Sequence, residues 1–156
     1  MANTQAISNQ FRSDILTSGY NLSSGSKTLY AALYLTSGTI NATKLTYGGT
    51  IGSVADTSEV SGAGYTPGGV AVTNAVSPTG ANATAGGDTY YWTPSAAIVY
   101  TTVTLSASFD TVLIFDHTTP FHAVGCWNFG PTVITAGTLT LNMPANAAGT
   151  ALLRLL

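Results

Sequence analysis

The chain has 156 residues, of which six are Asp or Glu and four are Lys or Arg, with a formal net charge of −2. This length accommodates one domain, and an apolar content of 45% supplies a core without disulfide staples. The four cations, Arg12, Lys27, Lys44 and Arg154, are too scattered to form a phosphate-neutralising stripe, and no run approaches the ~20 apolar residues of a membrane helix, so neither nucleic acid nor membrane is an expected partner.

A charged fraction of 6% is about a quarter of that in an ordinary soluble domain. Free monomers keep their surfaces soluble with interspersed charges, so a surface of Thr, Ser, Asn and Gly suits a protein whose faces are covered by other subunits. The single Cys126 cannot form an internal bridge and reads as a small buried hydrophobe. The first residues, Met1-Ala2-Asn3-Thr4-Gln5, lack the basic and apolar segments of a signal peptide, so the mature chain is expected to start near Met1.

Along the chain, Thr4 is placed to cap a helix in which Ile7, Phe11 and Ile15 recur every four residues on one face before Gly19 ends it. Residues 1–18 thus read as an N-terminal helix and arm. Beyond Ser26 the pattern changes to short β-branched and aromatic runs bounded by Gly, Pro, Asn or Asp. Over 28–36, Leu29, Ala31, Leu33 and Leu35 alternate with Tyr30, Ala32 and Tyr34, which predicts a strand covered on both faces. Further strands are predicted over 69–76, 89–93, 97–105, 111–116, 122–129, 132–135, 138–143 and 150–155. Residues 76–88, with Pro78, Gly80, Gly86 and Gly87 among small residues, read as an exposed loop. The chain lacks the crossover helices of a parallel sheet, so the expected fold is mainly β. It is an antiparallel β-sandwich, jelly-roll-like, with one short N-terminal helix, and residues 1–156 form a single domain.

Candidate chemistry is sparse. His117 and His122 lie near Asp110 and Asp116 but match no metal-ligand spacing. Ser24-Gly25 and Ser61-Gly62 do not make a nucleophile elbow. Glu59 and the Asp residues 56, 88, 110 and 116 permit a glycosidase pair, but nothing indicates one. The glycine-rich stretch 62–69 places Pro67 where a dinucleotide fingerprint needs its third glycine. No enzyme, cofactor or metal is therefore expected. The stretch reads instead as a structural turn of Glu59, Gly62, Gly64, Tyr65, Gly68 and Gly69, whose glycines allow positive φ and whose carboxylate can accept backbone N–H bonds.

Glu59-Val60-Ser61-Gly62-Ala63-Gly64-Tyr65-Thr66-Pro67-Gly68-Gly69 resembles the E-V-x-G-x-G-Y-x-x-G-G block of a family of small tailed-bacteriophage virion proteins. Other blocks follow in order. The 11–16 segment with Lys27-Thr28-Leu29-Tyr30-Ala31-Ala32-Leu33-Tyr34 is similar to the family's early helix and K-x-A-L-Y strand. Residues 108–116 are similar to its A-x-x-x-L-I-Y-N strand, with Phe115-Asp116 in place of Tyr-Asn. Trp127-Asn128-Phe129-Gly130 is similar to its x-D-F-G block, with Asn128 in place of the acid.

The resemblance covers nearly the whole chain and implies a virion structural protein without enzymatic activity. It implies a head cement or decoration protein on the capsid exterior, made in the host bacterial cytoplasm. Its partners would be the major capsid protein and copies of itself, a trimer being slightly favoured over a dimer. The alternatives are a tail or adaptor component of the virion, and a carbohydrate-binding β-sandwich using Tyr90, Tyr91, Trp92 and Trp127 as stacking platforms. Phe11, Tyr90, Tyr91 and Trp92 are the candidate interface residues.

Overall fold

The structure is a computed structural model that describes residues 2–22, 27–74, 79–80, 90–118 and 120–155, the pair 79–80 by backbone alone. In chain order the elements are β1 (Ala6–Ile7), α1 (Asn9–Ser18), β2 (Leu29–Leu35), β3 (Val70–Val72), β4 (Thr79–Gly80), β5 (Tyr90–Trp92), β6 (Ile98–Asp116), β7 (Ala123–Leu141) and β8 (Leu153–Leu155). They form an antiparallel five-stranded sheet in the order β1-β7-β6-β2-β3 and an antiparallel three-stranded sheet in the order β4-β5-β8. The fold is thus mainly β and sandwich-like, with one short helix. Of the loop expected over 76–88, Thr79–Gly80 form β4 against Tyr90 and Tyr91, a correction to that reading, and the rest lies outside the described residues.

The helix starts later than its spacing suggests. Ser8, not Thr4, is the N-cap, its Oγ accepting from the Gln10 N–H at 3.1 Å. The preceding arm is held extended by Asn3, which donates to Leu35 O at 2.9 Å and Asp110 Oδ1 at 2.6 Å while accepting from Ile40 N at 2.9 Å. Ile7 therefore pairs with Gly125 as part of β1 and leaves the helical face to Phe11 and Ile15. Gly19, at φ +60°, ends the helix.

Five of the expected strands merge into two. The segments over 97–105 and 111–116 are one strand, β6, and those over 122–129, 132–135 and 138–143 are one strand, β7. The small and turn-forming residues between them become irregularities in pairing: the β6–β7 register shifts repeatedly between Tyr100 and Thr111. Thr102, Gly130 and Ala136 adopt positive φ. Such bulges bend and twist a ribbon. Ile98 and Val112 would lie roughly 46 Å apart in a straight strand, yet both line one cavity with Ile114, Trp127 and Leu141. The hairpin therefore folds back on itself, and the Tyr100 hydroxyl reaches Ala31 O at 2.7 Å.

Strand β2 is covered on both faces, as its uninterrupted apolar alternation requires. On one side Leu29, Ala31 and Leu33 pack with Val103, Leu105 and Phe109 in the sandwich core. On the other, Ala32 and Tyr34 join Leu113 and Phe115 under Ile40 and Tyr47 of the long connection between β2 and β3. Replacing Tyr100 with Phe leaves the ring in place but takes away the fully buried hydroxyl that ties the folded-back hairpin to β2. The expected loss is about 1–2 kcal/mol, read as a lowered denaturant midpoint with an unchanged m-value.

Candidate functional site

Residues 36–69 connect β2 to β3 with only isolated bridges for secondary structure, so their order has another source. Glu59 supplies it. Its Oε2 accepts from the Tyr47 hydroxyl at 2.8 Å and the Asp56 N–H at 2.7 Å, and its Oε1 from the Tyr65 hydroxyl and the Gly68 N–H, both at 2.7 Å. One buried carboxylate thus gathers four points of the connection. Tyr65 extends the link by accepting from the Leu33 N–H of β2 at 3.0 Å, and its ring stacks on Tyr100 at 6.0 Å.

The glycines of the turn are demanded by this packing. Gly64, Gly68 and Gly69 have φ of +77°, +87° and +72°. A Cβ on Gly69 would overlap the Ala31 carbonyl of β2, and one on Gly62 would overlap the Thr104 carbonyl of β6. Gly62 is needed for this close approach of backbones, not for the positive φ expected from the sequence. Ala63 then bridges Thr104, whose N–H donates to Ala63 O at 2.9 Å, so the turn is stitched to β2 and β6 together.

A second carboxylate prolongs the network. Asp56 Oδ2 accepts from the Tyr34 hydroxyl at 2.6 Å and pairs with the Lys44 ammonium, while Oδ1 accepts from the Thr57 N–H at 2.7 Å. Burial alone would raise its carboxyl, but the Lys44 ammonium, the Tyr34 hydroxyl and the Gly48 N–H together hold it below the usual carboxylate range. Asp116 behaves alike: burial opposes its charge, and Lys27, at 2.8 Å, with the Thr118 donors brings it down. Asp110 accepts from Asn3 at 2.6 Å and from Thr111 Oγ1 at 2.8 Å. Asp14 faces His122 Nδ1 at 2.7 Å and accepts from Gln10 at 2.8 Å.

All five described carboxylates, Asp14, Asp56, Glu59, Asp110 and Asp116, are therefore buried and engaged, while Asp88 lies outside the described residues. Among the charged side chains described, only Arg12 and Arg154 are exposed. The cavity of about 450 Å³ inside the folded-back hairpin is lined by apolar residues with Gln5, Asn128, Thr140, Asn142, Thr150 and Arg154, and by no carboxylate, imidazole or thiol. A cavity of about 220 Å³ does hold Asp14, Asp116, Lys27 and His122, but both carboxylates already have protein partners on each oxygen. His117 stacks on Tyr30 at 4.5 Å, so the two imidazoles have separate local partners.

The four interface candidates come together. Phe11 of α1 and Tyr90, Tyr91 and Trp92 of β5 line one apolar groove of about 200 Å³, along with Ile15 and Tyr20. Leu153 and Leu155 of β8 close its far side. Trp92 forms the buried floor and Tyr90 an exposed rim. Among the described residues the Trp92 indole N–H has no hydrogen-bond partner. Both Trp92 and Trp127 are buried, the Trp127 indole N–H donates to Leu152 O at 3.0 Å, and Trp127 lines the cavity inside the folded-back hairpin. The sequence reading did not single out Tyr34, Lys44 or Tyr47 for the network, nor Ile15, Tyr20, Leu153 or Leu155 for the groove. Helical spacing puts Ile15 on the face of Phe11, whereas the others are brought in by contacts across the fold.

The chain matches no protein-family profile, no curated protein and no solved structure.

Replacing Glu59 with Gln sets an amide N–H₂ against two of the four converging donors. A loss on the order of 3 kcal/mol is expected, approaching the effect of Gly69→Val, whereas Gly130→Ala, with open space around the position, costs about 1 kcal/mol of backbone strain. Urea melts of the three variants rank them.

Titration provides a second check. The carboxyls of Asp56 and Asp116 are lowered, so their stabilisation is present above about pH 4 and lost as pH falls below it. Burial, followed by neighbouring carboxylate charge, raises Tyr34 and Tyr20 far above the ordinary phenol value. For such groups the unfolded chain ionises first, so stability falls as pH rises past about 10. Tyrosinate absorbance from these rings is expected to appear in step with loss of fold, not ahead of it.

Proposed function

We propose that this chain is a structural subunit of a tailed-bacteriophage virion, acting as a head cement or decoration protein that binds the major capsid protein and copies of itself. The resemblance of its sequence blocks supplies the virion context. The physical observation that carries the reading is the placement of charge: every described carboxylate lies inside the fold with its partners, and among the described charged side chains only Arg12 and Arg154 remain exposed, beside exposed apolar side chains such as Leu16, Tyr90 and Val133. Interfaces between subunits are depleted of charge at their cores, and such a surface presents little that must be desolvated on assembly. The capsid exterior is the proposed location, and a tail or adaptor position is the alternative that density in a reconstructed particle separates.

Contacts of this kind contain few ion pairs to screen. Purified virions are therefore expected to retain the protein as NaCl is raised from roughly 0.05 to 1 M, a range over which the Debye length falls from about 14 to 3 Å. Quantitative release by moderate salt overturns the neutral-interface reading.

A further inference from the structure

The groove between α1 and β5 lies beside an apolar side chain that the fold leaves uncovered. Leu16 is 87% exposed, although its neighbour Ile15 lines the groove. Arg12 stands one turn earlier on the same face of α1, is exposed, and has no ion-pair partner among the described residues. The last turn of the helix carries no basic side chain to complement its carbonyls. One short helix thus displays an apolar knob, the wall of an apolar hole, an unpartnered cation and an uncompensated negative helix end.

From this arrangement we infer that two copies of the chain pair across a twofold axis through α1, each inserting Leu16 into the other's groove beneath the Tyr90 rim. Knob and hole lie on the same patch, which an isologous interface requires: a contact from one copy is returned by the other. A twofold axis across α1 sets the two helices antiparallel, bringing Arg12 of each copy to the carbonyl end of the other's helix. The complementarity is that of cation and helix dipole. No exposed carboxylate among the described residues competes for Arg12. The isologous contact covers the knob and the groove of both copies at once. The inference rests on reading the chain as a self-associating structural subunit and names the surface that joins the copies.

Sedimentation of the full chain from about 1 to 300 µM tests it, with Leu16→Asp and Arg12→Glu as variants. Both positions are exposed, so an unchanged far-UV spectrum and melting midpoint at the lowest concentration are expected for each. The wild type should form dimers. Leu16→Asp should weaken them at least about tenfold, as loss of a buried leucine requires, and Arg12→Glu by about threefold, in keeping with loss of a charge–dipole contact. A wild type that stays monomeric throughout overturns the inference while leaving capsid binding to the salt experiment. Dimers that persist unchanged in Leu16→Asp also overturn it, showing that self-association uses another face. Trimers in the wild type have the same consequence.

Discussion

The Glu59 carboxylate is the constraint on which the upper half of this fold depends. The connection between β2 and β3 is too long to be held by turns alone, and loops beyond about 12–15 residues without secondary structure are uncommon in compact domains. Here four donors converge on one buried acceptor, and the connection becomes a lid over the outer face of β2. Tyr47 stacks on Phe115 at 4.6 Å under that lid, so a second apolar core exists because the polar network positions its cover. Buried charge is expensive to leave unpaired, which makes the network close to all-or-none: each donor removed leaves the same charge with fewer partners.

The same arrangement explains the electrostatic character of the outside. With so few charged residues, the destination of each one matters. Asp14 fastens α1 to the β6–β7 turn through His122, Asp56 ties Tyr34 and Lys44 together, Asp110 holds the N-terminal arm through Asn3, and Asp116 collects Lys27 and Tyr20. The charges act as internal fasteners between segments distant in sequence. Paired interior charges contribute little net stability compared with apolar packing, and their use here is consistent with selecting one arrangement of loosely patterned segments. Among the described charged side chains only Arg12 and Arg154 are then left exposed.

Some of this was legible in the chain. The alternation over Leu29–Leu35 announced a strand buried on both sides, and the helical spacing of Phe11 and Ile15 announced the inward face of α1. Glu59 and the glycines after it announced a turn built around a carboxylate, since glycine backbone N–H groups lie within its reach along the chain. The beginning of α1 was not legible, because Asn3 is held by residues more than thirty positions away. Nor was the continuity of β6 and β7: Ser106, Gly130 and Gly137 look like turn residues, and a bulge uses the same conformational freedom as a turn.

The sequence by itself determined the class of the fold, the scarcity of charge and the position of the Glu59 turn, because strand periodicity, composition and glycine placement are local properties. Only the tertiary structure decided that the hairpin folds back on itself, that Tyr47 and Tyr65 meet on Glu59, that the described carboxylates lie inside, and that Phe11 joins Tyr90, Tyr91 and Trp92 around one groove. Each of these depends on which distant surfaces are apposed. That choice is made by the joint burial of apolar faces and the satisfaction of buried polar groups across the whole domain, and no window of neighbouring residues contains it.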